Sequence, residues 1–140
     1  MDVAISTLTP LRYLERSEDV WADRPAVVDG DRLWTYAGHG DRVRRAAAAL
    51  AGELRIAEGD RVATLLPNVA SALELHYAVP GAGGVLVPLN TRLAADDYAY
   101  ILGHAEPKAI VAHPSRREVL EDALARMDHP VPPVIWDDGG

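Results

Sequence analysis

The chain has 140 residues, of which 49% are hydrophobic and 25% are charged, and its formal net charge is −7. These values are typical of one soluble globular domain or part of one, and scattered arginines on an acidic chain argue against nucleic-acid binding. No cysteine is present, which excludes disulfides and thiolate chemistry. The longest apolar stretch is too short to span a bilayer and no signal peptide is visible, so we expect a cytoplasmic protein without a transmembrane segment.

The first predicted elements are a helix and a β-hairpin. Thr9 is suited to cap the helix, and Pro10 fits its first position because the N–H that proline lacks would be unpaired there. Apolar runs at 26–28 and 33–34 flank Asp29-Gly30-Asp31, and an Asp-Gly pair between such runs predicts a tight hairpin turn.

A second helix is predicted to follow, with Thr35 as its cap and an apolar stripe at helical spacing. Gly38 and Gly40 fall in its first turns, where each costs about 1 kcal/mol relative to alanine. We expect both glycines to have ordinary helical dihedral angles. Replacing both with alanine is then expected to stabilise the chain by roughly 1–2 kcal/mol.

The remainder of the chain alternates apolar strands with helices. The strands are apolar throughout, as in parallel sheets covered on both faces, and short links between them indicate right-handed crossovers. The predicted fold class is therefore α/β, a partial doubly wound parallel sheet with flanking helices and an N-terminal β-hairpin. The predicted strands are 60–67, 85–89, 108–114 and a short run at 131–136, and the helices are 68–79, 94–105 and 115–127.

Three clustered glycines, Gly81, Gly83 and Gly84, raise the question of a phosphate-binding loop. A dinucleotide-binding turn follows a strand and opens a helix, whereas these glycines follow a predicted helix and precede a strand. Their spacing matches neither G-x-G-x-x-G nor the P-loop. We therefore expect a helix C-terminus, with Pro80 ending or kinking the helix and Gly83 or Gly84 in the left-handed conformation.

Polar side chains follow three predicted strands, at the edge where open parallel sheets bind ligands. The candidates at this edge are Asn68, Asn90, Arg92 and His113. Three also have a structural interpretation: Asn68 caps the next helix, Asn90 makes hydrogen bonds within its loop, and Arg92 ties that loop down. His113 precedes Ser115 by two residues, but a serine nucleophile also needs a third positioned group and an oxyanion hole.

No other pattern predicts chemistry. The five histidines form neither an i, i+4 pair nor an H-E-x-x-H motif, which indicates that there is no metal site. We assign no catalytic and no cofactor-binding residue to this chain.

Several short motifs stand in a characteristic order: WTY at 34–36, GDRVA at 59–63, LLPN at 65–68, AVPGAGGVLVPLN at 78–90 and YIL at 100–102. Through them, residues from about 9 to about 114 resemble the N-terminal region of the adenylate-forming acyl-CoA synthetases, in the AMP-binding ligase superfamily. The resemblance implies that residues 1–140 are an incomplete N-terminal part of such a synthetase domain. PLNTRL at 88–93 favours the acyl-CoA branch, because amino-acid-adenylating domains usually have an aspartate there.

The resemblance also implies a reaction for the complete enzyme. A carboxylic acid attacks ATP to give an acyl-adenylate and pyrophosphate, and coenzyme A then displaces AMP, so ATP, Mg and coenzyme A are implied. The family's phosphate loop, ribose-binding aspartate, hinge and adenylation lysine have no counterpart in these 140 residues. The single lysine, Lys108, matches a structural position of the family.

Two functions stay open at this point. The first is an N-terminal fragment of an ATP-dependent acyl-CoA synthetase, catalytically incomplete by itself and without a cofactor of its own. Its partner would be the remainder of the synthetase domain or a complementary chain, and the complete enzyme would take a small carboxylic acid. The alternative is a stand-alone, non-catalytic interaction module derived from that family.

Overall fold

The computed structural model describes residues 9–138, in which helices and strands alternate after an N-terminal helix and hairpin. The elements are α1 (Pro10–Trp21), β1 (Pro25–Asp29), β2 (Arg32–Thr35), α2 (Tyr36–Gly52), β3 (Arg61–Leu65), α3 (Ala70–Gly81), β4 (Val85–Pro88), α4 (Ala95–Ala105), β5 (Ala109–Ala112), a 3₁₀ turn (Pro114–Arg116), α5 (Arg117–Ala125) and β6 (Val134–Trp136). The predicted elements are all present, with ends that differ by up to three residues.

The sheet has four parallel strands in the order β4-β3-β5-β6, and β1 and β2 form a separate antiparallel hairpin. Successive side chains of the central strand β3 point to opposite faces of the sheet. Val62 packs in a core with α1, α2 and α3, whereas Ala63 and Leu65 pack in a second core with α4 and α5. Helices thus cover both faces, which explains the apolar strands and confirms the predicted fold class.

The hairpin and α1 form largely as predicted. Asp29 pairs with Arg32 across the turn, and Gly30 has the positive φ of 59° that glycine adopts without a steric cost. Pro10 occupies the start of α1, but the side chain of Thr9 makes no capping hydrogen bond. The backbone carbonyl of Thr9 accepts from the N–H of Arg12 at 3.1 Å, so Thr9 holds the predicted N-cap position but does not cap the helix with its side chain.

The start of α2 follows the prediction except at one glycine. Thr35 Oγ1 accepts from the N–H of Gly38 at 3.2 Å, and neither Gly38 nor Gly40 has a positive φ. A Cβ on Gly38 would make only an ordinary contact, but one on Gly40 would overlap the Glu18 carboxylate of α1, which pairs with Arg44 at 2.8 Å. Alanine at position 40 therefore requires the Glu18 carboxylate to move, and the expected stabilisation at this position stays a prediction.

The glycine cluster ends α3, as predicted. The N–H of Gly84 donates to the carbonyl of Val79 at 2.9 Å and that of Gly83 to the carbonyl of Pro80 at 3.0 Å, which is the hydrogen-bond pattern of a Schellman cap. Gly83 has a φ of 87°. Gly84 leaves no room for a Cβ, which would lie 2.9 Å from a methyl carbon of Ile56. These glycines serve chain geometry and packing.

The single lysine joins two parts of the chain that are distant in sequence. Lys108 Nζ donates to the carbonyl of Arg55 at 2.5 Å and to Asp60 Oδ2 at 2.6 Å. The hydrogen bond from Lys108 lowers the pKa of Asp60. This arrangement anchors the turn that leads into β3 to the start of β5.

Candidate functional site

The carboxyl edge of the sheet brings two of the four candidates beside the end of β3. The N–H of Leu89, just before Asn90, donates to the carbonyl of Thr64 at 2.8 Å, and the N–H of His113 donates to the carbonyl of Leu65 at 3.0 Å. Asn90 and His113 therefore follow strands that flank β3. Asn68 lies on the side of α3 that faces the hairpin, where it lines a groove with Asp29.

Asn90 organises the loop between β4 and α4. Its Oδ1 accepts from the N–H of Arg92 at 3.0 Å, which closes an Asx turn. Its carbonyl accepts from the hydroxyl of Tyr98 at 2.6 Å, and burial raises the pKa of that hydroxyl. The loop then leads into α4, whose N-terminal Ala94 N–H donates to Asp97 at 3.0 Å. Asn90 therefore has the loop hydrogen bond predicted for it.

Arg92 contributes its backbone N–H to this turn, and its side chain is exposed. The turn is closed by the side chain of Asn90, so the loop geometry does not depend on the Arg92 guanidinium. A role for that guanidinium toward a ligand stays a prediction.

His113 caps the 3₁₀ turn that follows β5. Its Nδ1 lies 3.1 Å from the N–H of Ser115 and 2.7 Å from the Oγ of the same residue. Because the N–H donates to Nδ1, the imidazole carries no proton on that nitrogen. A lone pair that is already engaged by a backbone donor is poorly placed to take a proton from a serine. The pair therefore has the geometry of a local cap.

Asn68 is not the cap of α3, which corrects the prediction. The helix begins at Ala70 with Val69 as its N-cap residue, and no side chain of the cap residue bonds to the helix. The N–H of Ala70 donates instead to Asp29 Oδ2 at 3.0 Å, and the same oxygen lies 3.2 Å from Arg32. The hairpin turn thus supplies the acceptor, and its charge also favours the positive end of α3.

A buried polar cluster between α2 and α3 was missed by the sequence reasoning. Arg42 donates to both oxygens of Glu74, at 2.5 and 3.2 Å, and lies 4.9 Å from the centre of the Trp34 ring. The hydrogen bond with Glu74 raises the pKa of Arg42. His39 lies beside them, 3% exposed and edge-on to Tyr77, and burial lowers its pKa. The only sign of this cluster in the sequence was a charged residue, Glu74, at a position of the predicted helix 68–79 that is buried in the structure.

The described residues do not form a nucleotide site by themselves. Phosphate oxygens need converging N–H groups or cations, as at a glycine-rich helix N-terminus. Here the clustered glycines end a helix, Asn90 and His113 bond within their own loops, and Lys108 is anchored away from the carboxyl edge at the start of β5. These residues therefore do not fit the triphosphate of ATP, and we derive no step through it. Over residues 9–138, no helix has the length and apolarity needed to cross a membrane.

Comparison with known proteins gives the class of protein to which this fold belongs. The chain matches the family model of AMP-binding enzymes over residues 14–140. It aligns with the N-terminal domain of FACL13 from Mycobacterium tuberculosis with a TM-score of 0.81 and 34% identity, covering 90% of this chain and 33% of that one. The chain is an N-terminal region of the AMP-binding enzyme family.

Curated relatives include acyl-CoA ligases. The chain is 40% identical over 117 residues to a probable acyl-activating enzyme 22 of Arabidopsis thaliana, covering 81% of this chain and 22% of that protein. It is 38% identical over 132 residues to a peroxisomal butyrate–CoA ligase, AAE11, of the same plant, covering 91% of this chain and 23% of that protein. The chain thus spans less than a quarter of the length of these two relatives.

Proposed function

We propose that this chain is the N-terminal part of an ATP-dependent acyl-CoA synthetase and that it is catalytically incomplete by itself. The family match and the acyl-CoA ligases among its relatives support the first statement. The poor fit to a triphosphate supports the second. In this proposal ATP, Mg, coenzyme A and a small carboxylic acid bind to the complete enzyme, to which this chain contributes part of the scaffold.

The observation that most supports an incomplete domain is an uncovered apolar groove. It lies between α2, α3 and the strands β5 and β6 and has a volume of about 390 Å³. Ser71 lies on its wall, 4% exposed, and its Oγ has no hydrogen-bond partner within the described residues. An exposed apolar groove of this kind is typical of a surface that a further polypeptide covers. The apolar lining includes Leu50, Leu54, Leu75, Val111, Ile135 and Trp136.

Exchange of pyrophosphate into ATP tests the proposal. The purified chain is expected to give only background exchange with acetate, butyrate, benzoate and long-chain acids. A chimera in which it replaces the matching region of the Mycobacterium tuberculosis fatty acyl CoA synthetase, which is 34% identical, is expected to restore exchange. Lys108→Ala in the chimera is the control variant. It should leave the restored exchange largely intact, because Lys108 bonds to the Arg55 carbonyl and to Asp60 and lies away from the carboxyl edge of the sheet.

Two results would contradict the proposal. Robust exchange by the 140-residue chain, abolished by Lys108→Ala, would place the catalytic lysine within this chain. A chimera that folds, as judged by circular dichroism, but shows no exchange would favour the non-catalytic module. Cell fractionation tests the proposed cytoplasmic location, since several relatives carry peroxisomal names.

A further inference from the structure

A histidine of α2 is buried where that helix packs against α1 and α3. His39 lies in the first turns of α2 and is 3% exposed. Its ring is edge-on to the ring of Tyr77 on α3, with 5.8 Å between the two centres. Its Nδ1 is buried and has no hydrogen-bond partner among the described residues. The neutral ring therefore packs well, whereas the imidazolium would carry a buried proton on Nδ1 without an acceptor.

The charges around His39 do not compensate for such a proton. Burial is the largest influence on the pKa of His39 and lowers it, although Glu74 of α3 and Glu18 of α1 act in the opposite direction. Both carboxylates already accept from an arginine. Arg42, which also lowers the pKa of His39, donates to Glu74 at 2.5 and 3.2 Å. Arg44 donates to Glu18 at 2.8 and 3.0 Å. The charged form of His39 is thus disfavoured while the three helices stay packed.

The two neighbouring helices are not held equally well. The Arg42–Glu74 pair, which joins α2 to α3, is largely buried, with exposed side-chain fractions of 23% and 7%. The Glu18–Arg44 pair joins α1 to α2 through an arginine side chain that is 61% exposed, and such pairs contribute little. Among the residues of α1 Leu14 alone is buried, whereas α3 buries six residues. Displacement of α1 is therefore the easier way for His39 to reach water.

Displacement of α1 would uncover an apolar contact among the three helices. Leu11 of α1, Ala47 of α2 and Gly81 of α3 meet there, since a Cβ on Gly81 would lie 3.5 Å from Ala47 Cβ and 3.6 Å from a methyl carbon of Leu11. His39 would be hydrated in this open form and would bind a proton without the cost of burial. Protonation and opening are therefore coupled, because the open form binds the proton more tightly than the packed form.

We propose that His39 is an acid-sensitive latch whose protonation displaces α1 from α2 and α3. The proton comes from water and adds to the unprotonated ring nitrogen, so no other reactant is needed. Opening begins as the pH falls below 6.5, the ordinary pKa of histidine. Its equilibrium constant then rises by up to about tenfold per pH unit, until the pH reaches the lowered pKa of the packed form. This inference is independent of the synthetase proposal, because it concerns contacts within the chain.

Thiol labelling at two buried positions tests the latch, since the sequence contains no cysteine. Leu14→Cys, at the buried position of α1, reports on displacement of that helix. Ala123→Cys, fully buried in the second core, reports on unfolding of the whole domain. A pyridyl disulfide labels thiols in acid as well as at neutral pH. The ratio of the Leu14→Cys rate to the Ala123→Cys rate is expected to rise severalfold between about pH 8 and about pH 5.

Matched substitutions assign the pH dependence to one histidine. His39→Gln removes the titrating ring and is expected to keep the ratio of rates constant over the same pH range. His76→Gln removes an exposed histidine of α3 and is expected to leave the rise unchanged. His39→Leu replaces His39→Gln if the latter loses its helical circular dichroism. Ala47→Cys replaces Leu14→Cys if the loss of the leucine already makes labelling fast at neutral pH.

Three results would overturn the inference. Slow labelling of both reporters down to pH 5 would show that α1 stays packed when the solution is acidified. An equal acceleration of both reporters would show that the domain unfolds as a whole. A rise in the ratio that persists without His39 would assign the opening to another group, such as the Glu18 carboxylate.

Discussion

Removing the Asp29 carboxylate tests whether the hairpin caps α3. Asp29→Ala removes the acceptor of the Ala70 N–H at 3.0 Å and the partner of Arg32 at 3.2 Å. Loss of an N-terminal helix acceptor costs about 1 kcal/mol, and a partly exposed ion pair contributes about 0.5 kcal/mol. The expected loss is therefore about 1.5 kcal/mol, which corresponds to a fall in Tm of roughly 5 °C for a domain of this size.

Three further variants separate the contributions. Asp29→Asn keeps an acceptor oxygen but loses the charge, so we expect about half the loss. Arg32→Ala keeps the Asp29 carboxylate and removes its ion pair together with the contact of Arg32 on the Trp34 ring, 5.5 Å from the ring centre. Asp31→Ala changes an exposed residue of the same turn and should alter the free energy of unfolding by less than about 0.5 kcal/mol.

Urea denaturation followed by circular dichroism measures these differences, with Tm as a second readout. Equal losses for Asp29→Ala and Asp31→Ala would refute the cap, because the turn itself would then be responsible. An Asp29→Asn variant as unstable as Asp29→Ala would show that charge, and not the hydrogen bond to Ala70, stabilises the helix end.

Further predictions concern the buried face of α2. Gly38→Ala is expected to raise the free energy of unfolding by about 1 kcal/mol. Gly40→Ala should raise it less or lower it, because the new methyl group displaces the Glu18 carboxylate of α1. Denaturation midpoints measure the difference, and equal gains for the two variants would contradict the prediction. Arg42→Met should lower the free energy of unfolding by about 3 kcal/mol, because Glu74 is left buried without its partner. Adding Glu74→Leu should recover part of this loss, and additive losses in a double-mutant cycle would contradict the coupling. His39 has a lowered pKa in the folded state, so the unfolded chain binds its proton more readily. Stability should be full above pH 6.5 and fall below it, and Tm should depend less on pH in His39→Gln.

Features that depend on neighbouring residues were predictable. The Thr35 cap, the turn at Gly30 and the C-terminal cap at Gly83 each depend on residues within a few positions. The same holds for the loop hydrogen bond of Asn90, whose partner lies two residues away. Spacing along the chain contains the information that these local structures need.

Features that depend on distant residues were not predictable. Asn68 stood at the right distance from α3 to cap it, but Asp29, 41 residues before Ala70, takes that role. Gly40 was judged by helix propensity, yet its neighbour is a carboxylate of α1. The Arg42–Glu74 pair joins residues 32 apart. Such contacts arise only when the layers pack, so a single sequence does not reveal them.

The two outer strands of the sheet determine how copies of this chain could associate. β4 has four residues and ends at Pro88, which has no N–H to donate, and β6 has only three residues. Edges this short offer few backbone hydrogen bonds to an added strand, which is a common protection against fibril growth. Aggregates of the isolated chain should therefore form through its apolar faces, and they should be amorphous rather than cross-β.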